Sequence, residues 1–181
     1  MNIIETMQNI LMSFPKISEV CNEIHIDFAD TEPTSYGLSS IGDTLLKEDI
    51  LGNQTRQHTF MLYSTFSGIS DYERLNNSGA LLELSLWLSR IVEKPNDVVN
   101  NTLRDLGKYR LSQIKDYTLT ELQHLNSPST LVTSQIDGEI FMGKITKITV
   151  ENGMLYAVPQ ENIIDGMQYQ LQIIVQYTVE I

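Results

Sequence analysis

The sequence predicts an α+β domain, a mixed or antiparallel sheet flanked by helices, with a helical insertion. Three observations carry this. The last thirteen residues, YQLQIIVQYTVEI, alternate apolar and polar side chains. Residues 71–93 carry a broad apolar face at helical spacing. The order is helix, strands, helix, helical insertion, strands, which segregates the two element types as α+β folds do. Residues 1–95 and 131–181 form one domain, and residues 96–130 form the insertion.

In the terminal strand Tyr169, Leu171, Ile173, Val175, Tyr177, Val179 and Ile181 fall on one face. Gln170, Gln172, Gln176, Thr178 and Glu180 fall on the other, because successive strand side chains point to opposite sides. At the other end, Ile3, Ile4, Met7, Ile10, Leu11 and Phe14 repeat at three-to-four spacing, a short amphipathic helix that Pro15 stops. Residues 20–28 alternate, with Val20, Ile24, Ile26 and Phe28 on one face of a half-buried strand.

Residues 30–43, DTEPTSYGLSSIGD, are rich in turn formers and predict a long loop. Tyr36 and Leu38 are its apolar side chains, and either pack on their own domain or touch a partner. Leu45–Leu51 and Arg56–Phe66 predict two strands joined by a turn at Gly52–Asn53. In the second, His58, Phe60, Leu62 and Phe66 share a face. In the 71–93 helix the apolar face comprises Leu75, Leu81, Leu82, Leu84, Trp87, Leu88, Ile91 and Val92, and Lys94–Pro95 ends it. Asn96–Asp97 and the capping-box pair Thr118 and Glu121 predict the helices of the insertion. Ile145–Val150 and Met154–Val158 predict a hairpin about Asn152–Gly153.

At 181 residues the chain is long enough for one well-packed core. Twelve Lys and Arg against 23 Asp and Glu leave a net charge of -11, the opposite of a nucleic-acid or anionic-membrane footprint. Cys21 is the only cysteine, so an intrachain disulfide is impossible and a reducing compartment is expected. Neither a signal peptide nor an apolar run of roughly 20 residues is evident, so the expectation is a soluble protein made in the cytoplasm, with no membrane partner.

Catalytic motifs are refused one by one. Gly138–Lys144 matches the start of a phosphate loop, but Ile145 replaces the magnesium-holding hydroxyl, and a β-branched run follows where a helix should open. Cys21 and His25 on one strand sit roughly 13 Å apart at about 3.3 Å per residue, too far to hydrogen-bond. A dyad needs His58 or His124 delivered by the fold. His25 and Asp27 make half a metal site with no third ligand in view. No catalytic, cofactor or metal residue is therefore assigned, and the expectation is a part that assembles rather than an enzyme.

With these elements in place, the chain resembles the phage tail-terminator or tail-completion family of head–tail joining proteins. The resemblance spans Ile41–Gly42–Asp43, Leu46–Lys47, Asp49, Gly52, Arg56 and Phe60–Met61–Leu62–Tyr63. Asn77–Ser78–Gly79 and Leu86–Trp87–Leu88 follow, and it resumes at Ile145, Ile148, Gly153, Tyr156, Ala157, Tyr169–Gln170–Leu171–Gln172 and Tyr177. About half the chain is covered, and the 96–130 insertion departs from the family, whose members connect these elements by a shorter link.

The resemblance implies a ring, usually of six copies, on the head-proximal end of the tail tube of a virion or phage-tail-like particle. The ring would stop tube growth and meet the sheath or the head–tail connector, and its net acidic charge would let DNA pass the lumen without specific binding. Candidate subunit or partner contacts are Tyr36, Leu38, Asp43, Arg56, Gln170 and Gln172. Another minor head–tail joining protein is the nearest alternative. An acidic cytosolic adaptor would share the composition but stay monomeric or dimeric. An enzyme would need a pocket uniting Cys21 with a histidine, or assembled carboxylates.

Overall fold

A computed structural model describes residues 2–18, 23–27, 35–66, 71–93, 131–136, 139–157 and 167–180. The expected 96–130 insertion, and Val20, Cys21 and Phe28 of the expected 20–28 strand, lie outside the described residues.

The first helix, α1 (Ile3–Met12), starts on a capping box that the sequence reading did not use. Asn2 Oδ1 accepts from the Glu5 amide at 2.9 Å and Glu5 Oε2 accepts from the Asn2 amide at 2.9 Å, satisfying two end donors reciprocally. Ile3, Met7, Ile10 and Leu11 are buried, as their spacing requires. Pro15 does end that pattern, and it also opens a one-turn helix, α2 (Pro15–Ser18), where its missing amide costs nothing.

A two-residue strand, β1 (His25–Ile26), runs parallel to β2 (Ser35–Glu48), which pairs antiparallel with β3 (Gln54–Phe66). The long helix α3 (Asp71–Glu93) buries Leu81, Leu84, Leu88 and Ile91 on one stripe. Trp87 is half-buried against Phe14, ring centroids 5.1 Å apart, while Leu82, expected on the inner face, is exposed. Lys16 and Glu83 form an ion pair that ties α2 to α3. Strands β4 (Leu131–Ile136), β5 (Glu139–Ala157) and β6 (Met167–Val179) complete a six-stranded sheet in the order β1-β2-β3-β6-β5-β4, curled toward a half-barrel. This is the α+β fold with a mixed sheet flanked by helices.

The alternation of β6 is observed in full: Tyr169, Leu171, Ile173, Val175, Tyr177 and Val179 are buried and the residues between them are half-exposed. The inner face meets Met7, Ile10, Leu84 and Leu88 in one hydrophobic cluster, α3 lying against β5 and α1 against β4. Because β6 is hydrogen-bonded to β3 on one side and β5 on the other, neither of its edges is open to another subunit.

Two local readings are corrected. The loop expected over 30–43 is strand from Ser35 onward, paired register by register with β3 from Ser35↔Thr65 to Ser40↔Phe60. Gly and Ser have weak strand preference alone, but a 13-residue partner satisfies their backbone groups and overrides it. The hairpin expected at Asn152–Gly153 is a bulge within continuous β5. Glu151 pairs with Gln172 and Met154 with Gln170, and Gly153 lacks the positive φ of a two-residue hairpin turn. A long neighbour again decides: β6 accepts both flanks of the would-be turn.

The turn expected at Gly52–Asn53 is present but starts earlier, at Asp49, so the strand expected to run to Leu51 ends at Glu48. Gly52 has φ 90°, and the Asp49 carboxylate accepts from the Leu51 and Asn53 amides at 2.8 and 2.9 Å. Of the phosphate-loop lookalike, Glu139–Lys144 lies within β5, and Gly138 lies outside the described residues.

Candidate functional site

Burial along β2 falls into two halves. Tyr36, Gly37 and Leu38 are buried, and every residue from Ser40 to Glu48 is exposed. The outer half thus runs beyond the helices as one arm of a long hairpin. Its outer edge has no strand partner among the described residues, since β1 reaches only Gly37 and Leu38.

At the boundary between the halves the ladder slips by one residue between Ser40 and Gly42. From this bulge onward polar residues join the apolar ones on the inward face. Asp43 pairs with His58, and Arg56 of β3 pairs with Tyr177 of β6, so these side chains converge on one face of the sheet. Asp43 is the hub. Its Oδ1 accepts from Arg56 Nε at 2.6 Å, and its Oδ2 accepts from the Tyr177 hydroxyl at 2.7 Å. Oδ2 also lies 3.1 Å from His58 Nδ1, while His58 Nε2 lies 2.8 Å from Ser40 Oγ. Arg56 Nη1 donates in turn to Gln54 Oε1 at 2.9 Å.

The ionised carboxylate only accepts hydrogen bonds, so a neutral His58 carries its proton on Nδ1 and presents a lone pair at Nε2 to the Ser40 hydroxyl. The imidazole is packed on Phe60, ring centroids 4.3 Å apart, and its side chain is only 8% exposed. Burial by itself pushes the Asp43 carboxyl up. The hydrogen bonds from Tyr177, Arg56 and His58, with the Arg56 charge, outweigh it and hold the group below its usual value. Tyr177 moves the other way: burial, then the hydrogen bond to Asp43 and its negative charge, push the phenol up to about 12.

The expected contact residues separate into three groups. Asp43 and Arg56 meet directly, in an ion pair. Gln170 and Gln172 are half-exposed on the outer face of β6, at the middle of the sheet, so any contact they make is with a face rather than an edge. Tyr36 and Leu38 do not project from a loop: they are 4% and 0% exposed, and Tyr36 packs edge-on against Phe66 at 5.8 Å. Their apolar surface is spent on this chain's own core.

The sequence reading missed the convergence of Ser40, His58 and Tyr177 on Asp43. The one available signal was the placement of His58 on the inward face with Phe60 and Leu62, a titratable ring where an apolar residue was due. No protein-family model, curated protein or solved structure matches this chain.

Proposed function

We propose that this protein is a structural subunit that assembles into a ring and caps the head-proximal end of a phage or phage-like tail tube. The observation that carries this reading is the outer half of β2 and the hairpin tip. There Ile41, Leu45, Leu46, Ile50 and Leu51 are 59, 44, 47, 102 and 75% exposed, beside a strand edge unpaired among the described residues. An open edge carrying apolar side chains is a template for adding another chain, and a soluble protein normally blunts it.

The far side of the same sheet, at β4 and the start of β5, exposes Leu131, Ile140 and Met142. Contact between two different patches on successive copies is head-to-tail, and such contacts close into rings when the rotation permits. The six-copy ring, the tail tube as its seat, the sheath or connector as its upper neighbour and the passage of DNA through its lumen rest on the family resemblance. The net charge of -11 suits a lumen to which DNA does not stick.

The test is the assembly state of purified protein by sedimentation and electron microscopy, alone and with tail tubes. A closed cyclic oligomer is expected. Ile50→Asp with Leu51→Asp should disperse it while leaving the circular dichroism unchanged, since neither residue belongs to the core. A wild-type protein that stays monomeric in both settings overturns the reading.

A further inference from the structure

We propose that Ser40 is a nucleophile activated by His58 and Asp43, and that it cleaves carboxylic esters. This goes beyond the assembly reading and does not depend on it. Three groups stand in hydrogen-bond order: Ser40 Oγ 2.8 Å from His58 Nε2, and His58 Nδ1 3.1 Å from Asp43 Oδ2. A serine is a weak nucleophile until an adjacent base takes its proton, and that base works only in the tautomer whose free nitrogen faces the hydroxyl. Asp43 enforces that tautomer.

The surrounding residues hold these three groups in place. His58 is buried and stacked on Phe60, which holds its ring plane. Arg56 and Tyr177 fix the carboxylate from its other sides and act as positioning residues. Ser40 is exposed and stands at the bulge, a distortion that re-aims a side chain out of the regular pleat. The neighbouring outer edge of β2 is open among the described residues. In a subunit whose β2 edge no neighbour covers, exposed Leu45, on the same sheet face as Asp43, offers apolar surface to an acyl chain.

In the reaction, Ser40 Oγ bonds to the ester carbonyl carbon as its proton passes to His58 Nε2. The bond to the leaving oxygen breaks, and that oxygen takes the proton from Nε2. A water then attacks the acyl-serine, giving its proton to the same nitrogen, which returns it to Ser40 Oγ as the carboxylic acid departs. Asp43 accepts from Nδ1–H throughout and stabilises the transient imidazolium.

The experiment treats the full chain with a fluorophosphonate probe, read by intact mass and peptide mapping, and follows p-nitrophenyl butyrate hydrolysis in parallel. One adduct is expected, on Ser40, with loss of fluoride. Ser40→Ala should abolish both signals. Asp43→Asn, which keeps the shape but releases the tautomer, should lower both rates by roughly 10²–10⁴-fold with the fold retained. His58→Gln should do the same, and circular dichroism of each variant identifies any that fail to fold. Folded wild-type protein left unlabelled at millimolar probe overturns the proposal, as does labelling of Ser40 that persists at the wild-type rate in Asp43→Asn.

Discussion

Removing the Asp43 carboxylate tests the polar hub most directly. Asp43→Ala leaves three donors without their acceptor, and the three do not suffer equally. Arg56 has a side chain 31% exposed and keeps Gln54 as a partner at 2.9 Å, so water and Gln54 absorb most of its loss. Tyr177 is 5% exposed and the His58 side chain 8%, so neither rehydrates freely. An unsatisfied buried polar group costs about 1–3 kcal/mol. Two groups near the lower bound give a loss of roughly 2–3 kcal/mol, against a typical total of about 5–15 kcal/mol. For a chain of this size that corresponds to a fall in Tm of about 4–12 °C. Tyr177→Phe alone removes one of the same bonds and should cost about 1 kcal/mol.

Since both substitutions break the Tyr177–Asp43 bond, the double variant should be less destabilised than the sum of the singles, by about 1 kcal/mol. Urea or thermal unfolding followed by circular dichroism reads all four corners of the cycle. Losses that add within about 0.5 kcal/mol would refute the hub as a coupled unit. A Tm of Asp43→Ala equal to wild type would refute the burial argument itself.

The same network predicts two pH limits. Asp43 is held below its ordinary value of 3.8, so its contribution is complete above that pH and is lost as pH falls through the folded value. Tyr177 is raised from 10.0 to about 12, so its contribution is complete below pH 10 and is lost as pH climbs toward 12. Wild-type Tm minus that of Asp43→Asn should shrink in acid, and wild-type minus Tyr177→Phe should shrink in alkali; flat differences would contradict the assignment. Gly143→Ala should destabilise by about 3 kcal/mol or more, because its β-carbon would lie 1.7 Å from the Thr178 carbonyl oxygen and no rotamer relieves a backbone clash. Gly79→Ala, in a helix with nothing within 4 Å, should instead gain up to about 1 kcal/mol, and equal melting temperatures for the two variants would discredit the packing. Ser64→Ala should be neutral or stabilising by about 1 kcal/mol, since the buried Ser64 hydroxyl has no hydrogen-bond partner among the described residues. A clear drop in Tm would mean that hydroxyl is paired after all.

What was legible in the residues alone was whatever short-range physics decides. The three-to-four spacing from Ile3 to Phe14 yields α1, the stripe from Leu81 to Ile91 yields α3, and the period-two pattern from Tyr169 to Val179 yields β6. The turn at Gly52–Asn53 follows from a glycine free to take the positive φ that it shows. Each of these is settled within a few residues of the chain. Tertiary pairing decided the rest. Ser35–Asp43 is strand because β3 lies beside it, Asn152–Gly153 fails to turn because β6 binds both its flanks, and β6 sits mid-sheet because β3 and β5 claim its two edges. Asp43 meets Ser40 through His58, and Tyr177 reaches it from 134 residues away. A strand's partner and register are set by chain segments that local propensity does not contain, and a side chain's chemistry waits on which strand the fold lays beside it.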